Sequence, residues 1–187
     1  MVGGGNIIRG QIYQAGKMDR VSADYMGMLA TIINSLALQD NLERSGLPAR
    51  VMSAIHIDTL IEPYIKREAV EYLKKGEVVV LAGGTGNPYF TTDTTAALRA
   101  KELGAEVVMK GTKVDGIYDD DPVKNPSARM FDHLTYLEVL SRRLKVMDLT
   151  AISFCLENKL PIIVFHLLKD GNLKKILIGE KIGTKVT

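Results

Sequence analysis

A chain of 187 residues is long enough for one well-cored domain and short for two. Its 46% hydrophobic and 25% charged residues are ordinary for a globular protein. With 24 basic against 22 acidic residues the net charge is only +2, which makes no case for a nucleic-acid or membrane-surface partner.

Met1-Val2-Gly3-Gly4-Gly5-Asn6 reads as the end of a strand entering a glycine loop, followed by a polar, Gly-containing segment from Arg9 to Arg20. Ser22 or Asp24 then caps a long helix that ends near Gly46 and Pro48. Tyr25, Met28, Leu29, Ile32, Ile33 and Leu36 follow the three-and-four spacing of one buried face. Arg50–Ile55 is a short strand, Lys66–Lys75 an amphipathic helix closed by Gly76, and Val78–Leu81 a β-branched strand. A glycine turn, Gly83-Gly84-Thr85-Gly86, leads to the helix Thr92–Leu103.

Glu106–Met109 is the next strand, followed by the polar loop Lys110–Pro122. Thr135 caps a short helix through Leu140, and Asp148 opens another that runs to Asn158. Pro161–Phe165 is a strand and Asn172–Leu177 a last short helix. Apolar strands alternating with helices predict a single α/β domain over 1–187, with a mainly parallel sheet covered on both faces. The single Cys155, within an apolar helical pattern, excludes an internal disulfide and reads as a core thiol in a reducing compartment. No apolar run approaches the roughly 20 residues of a membrane span, and there is no signal-peptide pattern, so a cytoplasmic location is expected.

Ligands of open α/β sheets bind beyond the carboxyl ends of the strands. The loops 3–9, 83–93 and 110–122 occupy that position. Strand 78–81 runs through a glycine turn into a helix start, which offers free N–H groups and the positive end of a helix dipole to an anion. Arg9 supplies a fork of donors matched to phosphate. Asp115, Asp119, Asp120 and Asp121 either hold Mg²⁺ or ribose hydroxyls, or form a solvated turn. Asp24 and Asp148 each serve a ligand or simply cap a helix. Such loops suit phosphoryl transfer, where catalysis is positioning and charge neutralisation. No Gly-x-x-x-x-Gly-Lys-Ser/Thr or Gly-x-Ser-x-Gly motif is present, and Gly84-Thr85-Gly86 lacks the third glycine of a dinucleotide fingerprint. His56, His133 and His166 stand apart from Cys155 and from one another, which argues against a metal set.

Several blocks together carry a resemblance. They are Gly3-Gly4-Gly5-Asn6-Ile7-Ile8-Arg9-Gly10, Asp24-Tyr25-Met26-Gly27-Met28-Leu29-Ala30-Thr31 and Gly86-Asn87-Pro88-Tyr89-Phe90-Thr91-Thr92-Asp93. Lys113-Val114-Asp115-Gly116-Ile117-Tyr118 with Asp121-Pro122, Leu134-Thr135-Tyr136 and Lys145-Val146-Met147-Asp148 follow in the same order. Through them the chain resembles the bacterial-type uridylate (UMP) kinases of the amino-acid-kinase superfamily.

The resemblance implies a three-layer αβα sandwich and transfer of the ATP γ-phosphoryl group to UMP, with Mg²⁺, within pyrimidine nucleotide biosynthesis. Carried over by position, Gly4, Asp24, Thr85, Gly86, Asn87, Pro88, Tyr89, Phe90, Thr91 and Thr92 form the UMP site. Gly5, Arg9, Thr112, Tyr118 and Asp121 contact ATP, and Arg9 and Asp148 lie near the reacting phosphoryl group; no metal ligands are assigned. The resemblance also implies a homo-oligomer, a hexamer in the family, for which the helix 24–44 is the candidate contact.

Family members begin with a strand, a Lys-Leu-Ser-Gly-like loop, a helix and most of a second strand before the glycine turn, and this sequence starts at the turn. The expectation is therefore weak or no kinase activity for the chain as written, the alternative being a non-catalytic nucleotide-binding relative. At Glu106 the family often has Asp, which keeps the charge.

Overall fold

The computed structural model describes residues 1–8 and 18–187, and they fall into two compact units, 1–95 and 96–187. In the first, helix α1 (Arg20–Arg44) accompanies a parallel three-stranded sheet in the order β2 (Glu62–Pro63), β1 (Ala49–Ser53), β3 (Val78–Ala82), with helix α2 (Lys66–Lys74) preceding β3. Ile32, Val51, Ile61, Val80 and Ala82 form its core. Helix α3 (Thr92–Leu103) contains the boundary between the units.

The second unit holds a four-stranded sheet, β4 (Val108–Thr112), β8 (Ile162–His166), β9 (Thr184–Val186) and β7 (His133–Leu134), and a separate antiparallel pair, β5 (Ile117–Tyr118) with β6 (Met130–Phe131). Pairs β4–β8 and β7–β9 are parallel, and β8–β9 is antiparallel. Helices α4 (Tyr136–Ser141), α5 (Leu149–Glu157) and α6 (Asn172–Leu177) complete it. Leu134, Ile152, Ile162, Cys155 and Val186 are at its centre, each almost without solvent contact.

Local chemistry sets most of the boundaries. Thr135 and Glu138 form a reciprocal capping box at α4, and Asp148 caps α5 by accepting the Ala151 N–H at 2.9 Å. Left-handed Gly76 follows α2 and left-handed Gly104 follows α3.

Four expectations are corrected. Helix α1 is capped one turn earlier than Ser22 or Asp24, by Asp19, which accepts the Ser22 N–H at 3.0 Å. Its apolar residues split between two faces: Met28 and Ile32 are buried, whereas Tyr25, Leu29 and Ile33 are 44%, 47% and 56% exposed. The strand expected at 106–109 runs instead from Val108 to Thr112, because the pairing Val108↔Ile162 through Thr112↔His166 fixes its register. Residues 1–6 form no strand; Val2 donates to Leu81 O at 3.3 Å and the chain then turns at 5–7, with the Ile7 and Ile8 N–H groups on Gly4 O.

Contrary to the sequence reading, α1 is by length and composition apolar enough to cross a membrane. Its packing against β1 and β3, with Ala23, Met28, Ala30, Ile32 and Ser35 buried, makes it the core helix of the first unit.

Candidate functional site

In the first unit the glycine turn is built by necessity. Gly83, Gly84 and Gly86 have φ of 74°, 59° and 80°, a region costly for residues with a Cβ. A Cβ on Gly83 would also lie 2.8 Å from Ser53 Oγ. The buried Gly83 N–H donates to Thr31 Oγ1 at 2.8 Å, and that hydroxyl donates to Met28 O at 2.6 Å. At Gly4 a Cβ would lie 2.6 Å from Gly27 O, so only glycine lets the N-terminal turn sit against α1.

These approaches frame a cleft of about 260 Å³ lined by Gly4, Gly5, Arg20, Asp24, Gly84, Phe90, Thr91 and Thr92 among others. Thr91 Oγ1 accepts the Thr94 N–H at 3.2 Å, satisfying one donor at the start of α3. Asp24 Oδ2 accepts from Arg20 Nε at 2.7 Å and from the Tyr89 N–H at 2.8 Å. Thr85, Gly86, Asn87, Pro88 and Tyr89 make the loop beside this cleft without lining it. Within that loop Thr85 Oγ1 accepts the Asn87 N–H, and the Gly86 N–H donates to Gly83 O.

The second unit holds a cleft of about 430 Å³. Thr112, Gly116, Tyr118 and Asp119–Asp121 line it together with Arg142, Arg143 and Lys145. Thr112 Oγ1 donates to Val114 O at 2.7 Å and lies 3.2 Å from Phe165 O. Asp115 does not line the cleft; it pairs with Lys169 at 2.5 Å.

The carboxylates of this loop mostly serve the backbone. Asp119 Oδ1 accepts the Arg129 N–H at 2.7 Å, and Asp121 Oδ1 the Val123 N–H at 3.0 Å. Hydrogen bonds from the Asn125 amide and the Asp121 N–H hold the Asp120 carboxyl below its usual range. Among the described residues no three His, Cys, Asp or Glu side chains converge as a metal-binding group. Also lining the cleft, Arg142 lies over the Phe131 ring at 5.4 Å and 3.7 Å from Glu138.

The sequence-assigned residues thus gather in two places. Gly4, Gly5, Asp24, Phe90, Thr91 and Thr92 share the first cleft; Gly5, expected at ATP, is here with the acceptor residues. Thr112, Tyr118 and Asp121 share the second. Asp148 lines neither of them and caps α5. Arg9 lies outside the described residues. Sequence reasoning missed Arg20, Thr31 and Arg143. The spacing of Arg20 and Asp24, four apart on a helix, was the available signal for the first.

Residues 1–166 match the amino acid kinase family. A UMP kinase from Bacillus anthracis is 38% identical, with 99% of this chain and 77% of that chain covered and a TM-score of 0.95. A UMP kinase from Ureaplasma parvum is 42% identical over 99% of this chain and 79% of that one, with a TM-score of 0.93. A uridylate kinase from Archaeoglobus fulgidus is 32% identical over 99% and 82%, with a TM-score of 0.72.

Proposed function

The chain belongs to the amino acid kinase family, and from that premise we propose that it transfers the γ-phosphoryl group of ATP to UMP, giving ADP and UDP. The observation that carries this reading is the first cleft. It places a carboxylate, a glycine turn and the N-terminus of a 12-residue helix around one nucleotide-sized space.

UMP occupies that cleft. Backbone N–H groups at the start of α3 meet the acceptor phosphate, where the helix dipole favours negative charge. Asp24 accepts from a ribose hydroxyl or a base N–H. ATP occupies the cleft of the second unit, where Tyr118 offers an aromatic surface to the nucleoside and Arg143 and Lys145 offer positive charge to phosphates. Mg²⁺ arrives with ATP, bound mainly to phosphate oxygens.

The exposed stripe Tyr25, Leu29 and Ile33 on α1 is the contact through which copies of the chain assemble, as a hexamer in the fullest form. The protein works in the cytoplasm, supplying uridine diphosphate for pyrimidine nucleotide synthesis.

Calorimetric titration with UMP, using CMP and AMP as controls, tests the acceptor site; UMP-dependent release of ADP tests the transfer. Selective UMP binding is expected, with ADP release at a weak rate. Binding without release would favour a nucleotide-binding relative that does not turn over, and a folded chain that ignores UMP would overturn the reading.

A further inference from the structure

Three residues other than glycine have a left-handed backbone among the described residues: Tyr89 (φ 72°), Arg143 (φ 52°) and Lys159 (φ 51°). Arg143 and Lys159 directly follow the C-caps of α4 and α5, where that conformation is the usual way to end a helix. Tyr89 has no such reason. It stands three residues before α3, in a loop, and carries a bulky ring that is 66% exposed. Something else must hold it.

Two contacts do so, and both involve the start of α1. The Tyr89 N–H donates to Asp24 Oδ2 at 2.8 Å, and the Arg20 guanidinium lies over the Tyr89 ring at 5.4 Å. Arg20 Nε donates to that same Oδ2 at 2.7 Å. One carboxylate oxygen therefore ties two residues of α1 to a loop 65 positions later in the chain. No described residue donates to Oδ1, and Asp24 lines the cleft with its side chain only 15% exposed.

We propose that Arg20 is a positioning residue for the acceptor nucleotide. By occupying Oδ2 with Tyr89, it fixes the carboxylate rotamer so that Oδ1 is the oxygen presented to a hydroxyl or ring N–H of the ligand. It also closes the loop 83–91 onto α1. The proposal rests on the acceptor reading of this cleft. An ordinary i,i+4 ion pair on a helix would stabilise α1 slightly and would leave ligand selectivity alone; the latch makes selectivity depend on Arg20.

The test is calorimetry on wild type, Arg20→Ala and Arg20→Lys with three probes: UMP, its 2′-deoxy form and its N3-methyl form. ATP binding and circular dichroism serve as controls. Arg20→Ala should weaken UMP about 10-fold, the loss of one charge-assisted hydrogen bond, with ATP affinity unchanged. The wild-type preference for UMP over whichever analogue lacks the donor read by Oδ1 should collapse in Arg20→Ala and return in part in Arg20→Lys.

Amide exchange at Tyr89 is a second readout that needs no ligand and should speed up in Arg20→Ala. Wild-type UMP affinity and selectivity in Arg20→Ala would overturn the proposal. If wild type binds no UMP, the acceptor reading fails, and unchanged Tyr89 exchange in either variant would then dispose of the latch separately.

Discussion

Thr31→Val removes one oxygen from the buried end of the acceptor loop. Thr31 is 6% exposed, and its hydroxyl accepts the Gly83 N–H at 2.8 Å while donating to Met28 O at 2.6 Å. Valine has nearly the same shape and helix propensity, so neither a large cavity nor a helix penalty enters. What remains is a buried, unpaired Gly83 N–H, a group that costs about 1–3 kcal/mol when left unsatisfied. At roughly 2–4 °C per kcal/mol for a chain of this length, Tm should fall by about 2–12 °C. Urea unfolding measures the loss as a lower midpoint at unchanged slope. Thr31→Ser keeps the hydroxyl and should recover most of it. UMP affinity should fall with the valine variant, since Gly83 opens the loop that frames the cleft. A valine variant as stable as the serine one would refute the reasoning, because it would mean that the Gly83 amide needs no partner.

Thr184→Val should behave in the same way in the second unit. Thr184 has no solvent exposure, and its hydroxyl accepts the Ile117 N–H at 2.8 Å and donates to Phe131 O at 2.5 Å; a drop of about 1–3 kcal/mol in urea unfolding is expected. Arg143→Gly should raise stability by about 1 kcal/mol by relieving the left-handed backbone, while ATP binding weakens through loss of a cation that lines the cleft. Asp148→Ser keeps the α5 cap and should leave Tm unchanged, whereas Asp148→Ala should cost about 1 kcal/mol; UMP kinase activity that falls in the serine variant too would show a role for the charge beyond capping.

Burial pushes the Cys155 thiol up to about 11. In the folded protein it should therefore resist alkylation at pH 8 and react only on unfolding. The sign of its pH dependence follows. The folded state keeps a proton that the unfolded thiol releases near about pH 8.5, so this contribution to stability is lost as pH rises from there towards 11. A Cys155→Ala variant should show a shallower alkaline decline in Tm.

What was legible in the sequence was what local chemistry decides. Thr135 and Asp148 ahead of short apolar runs, and Gly76 behind a helix, all placed element ends that the structure keeps. The short pieces of the second unit were not legible: β5, β6 and β7 have two residues each, too few for any period to register. The antiparallel β9 exists because it completes a ladder with β8, which only the folded chain supplies. The start of α1 was misplaced because Asp19, Ser22 and Asp24 all have capping chemistry, and composition cannot rank them. Asp24 is freed for the cleft because Asp19 does the capping.

The two threonines carry a consequence for how the clefts are held. Each unit ties the loop of its own cleft to its own core through a buried hydroxyl, Thr31 to Gly83 and Thr184 to Ile117. In both cases the hydroxyl also donates to a carbonyl, so it is oriented before the loop amide arrives. A loop amide fixed this way cannot shift without leaving a buried polar group unpaired. Cleft geometry and core stability are then one quantity measured twice. Variants at Thr31 should lower UMP affinity and the unfolding midpoint together, and variants at Thr184 should do the same for ATP. A substitution such as Arg143→Gly, which alters a cleft-lining side chain but none of these ties, should instead move stability and affinity in opposite directions.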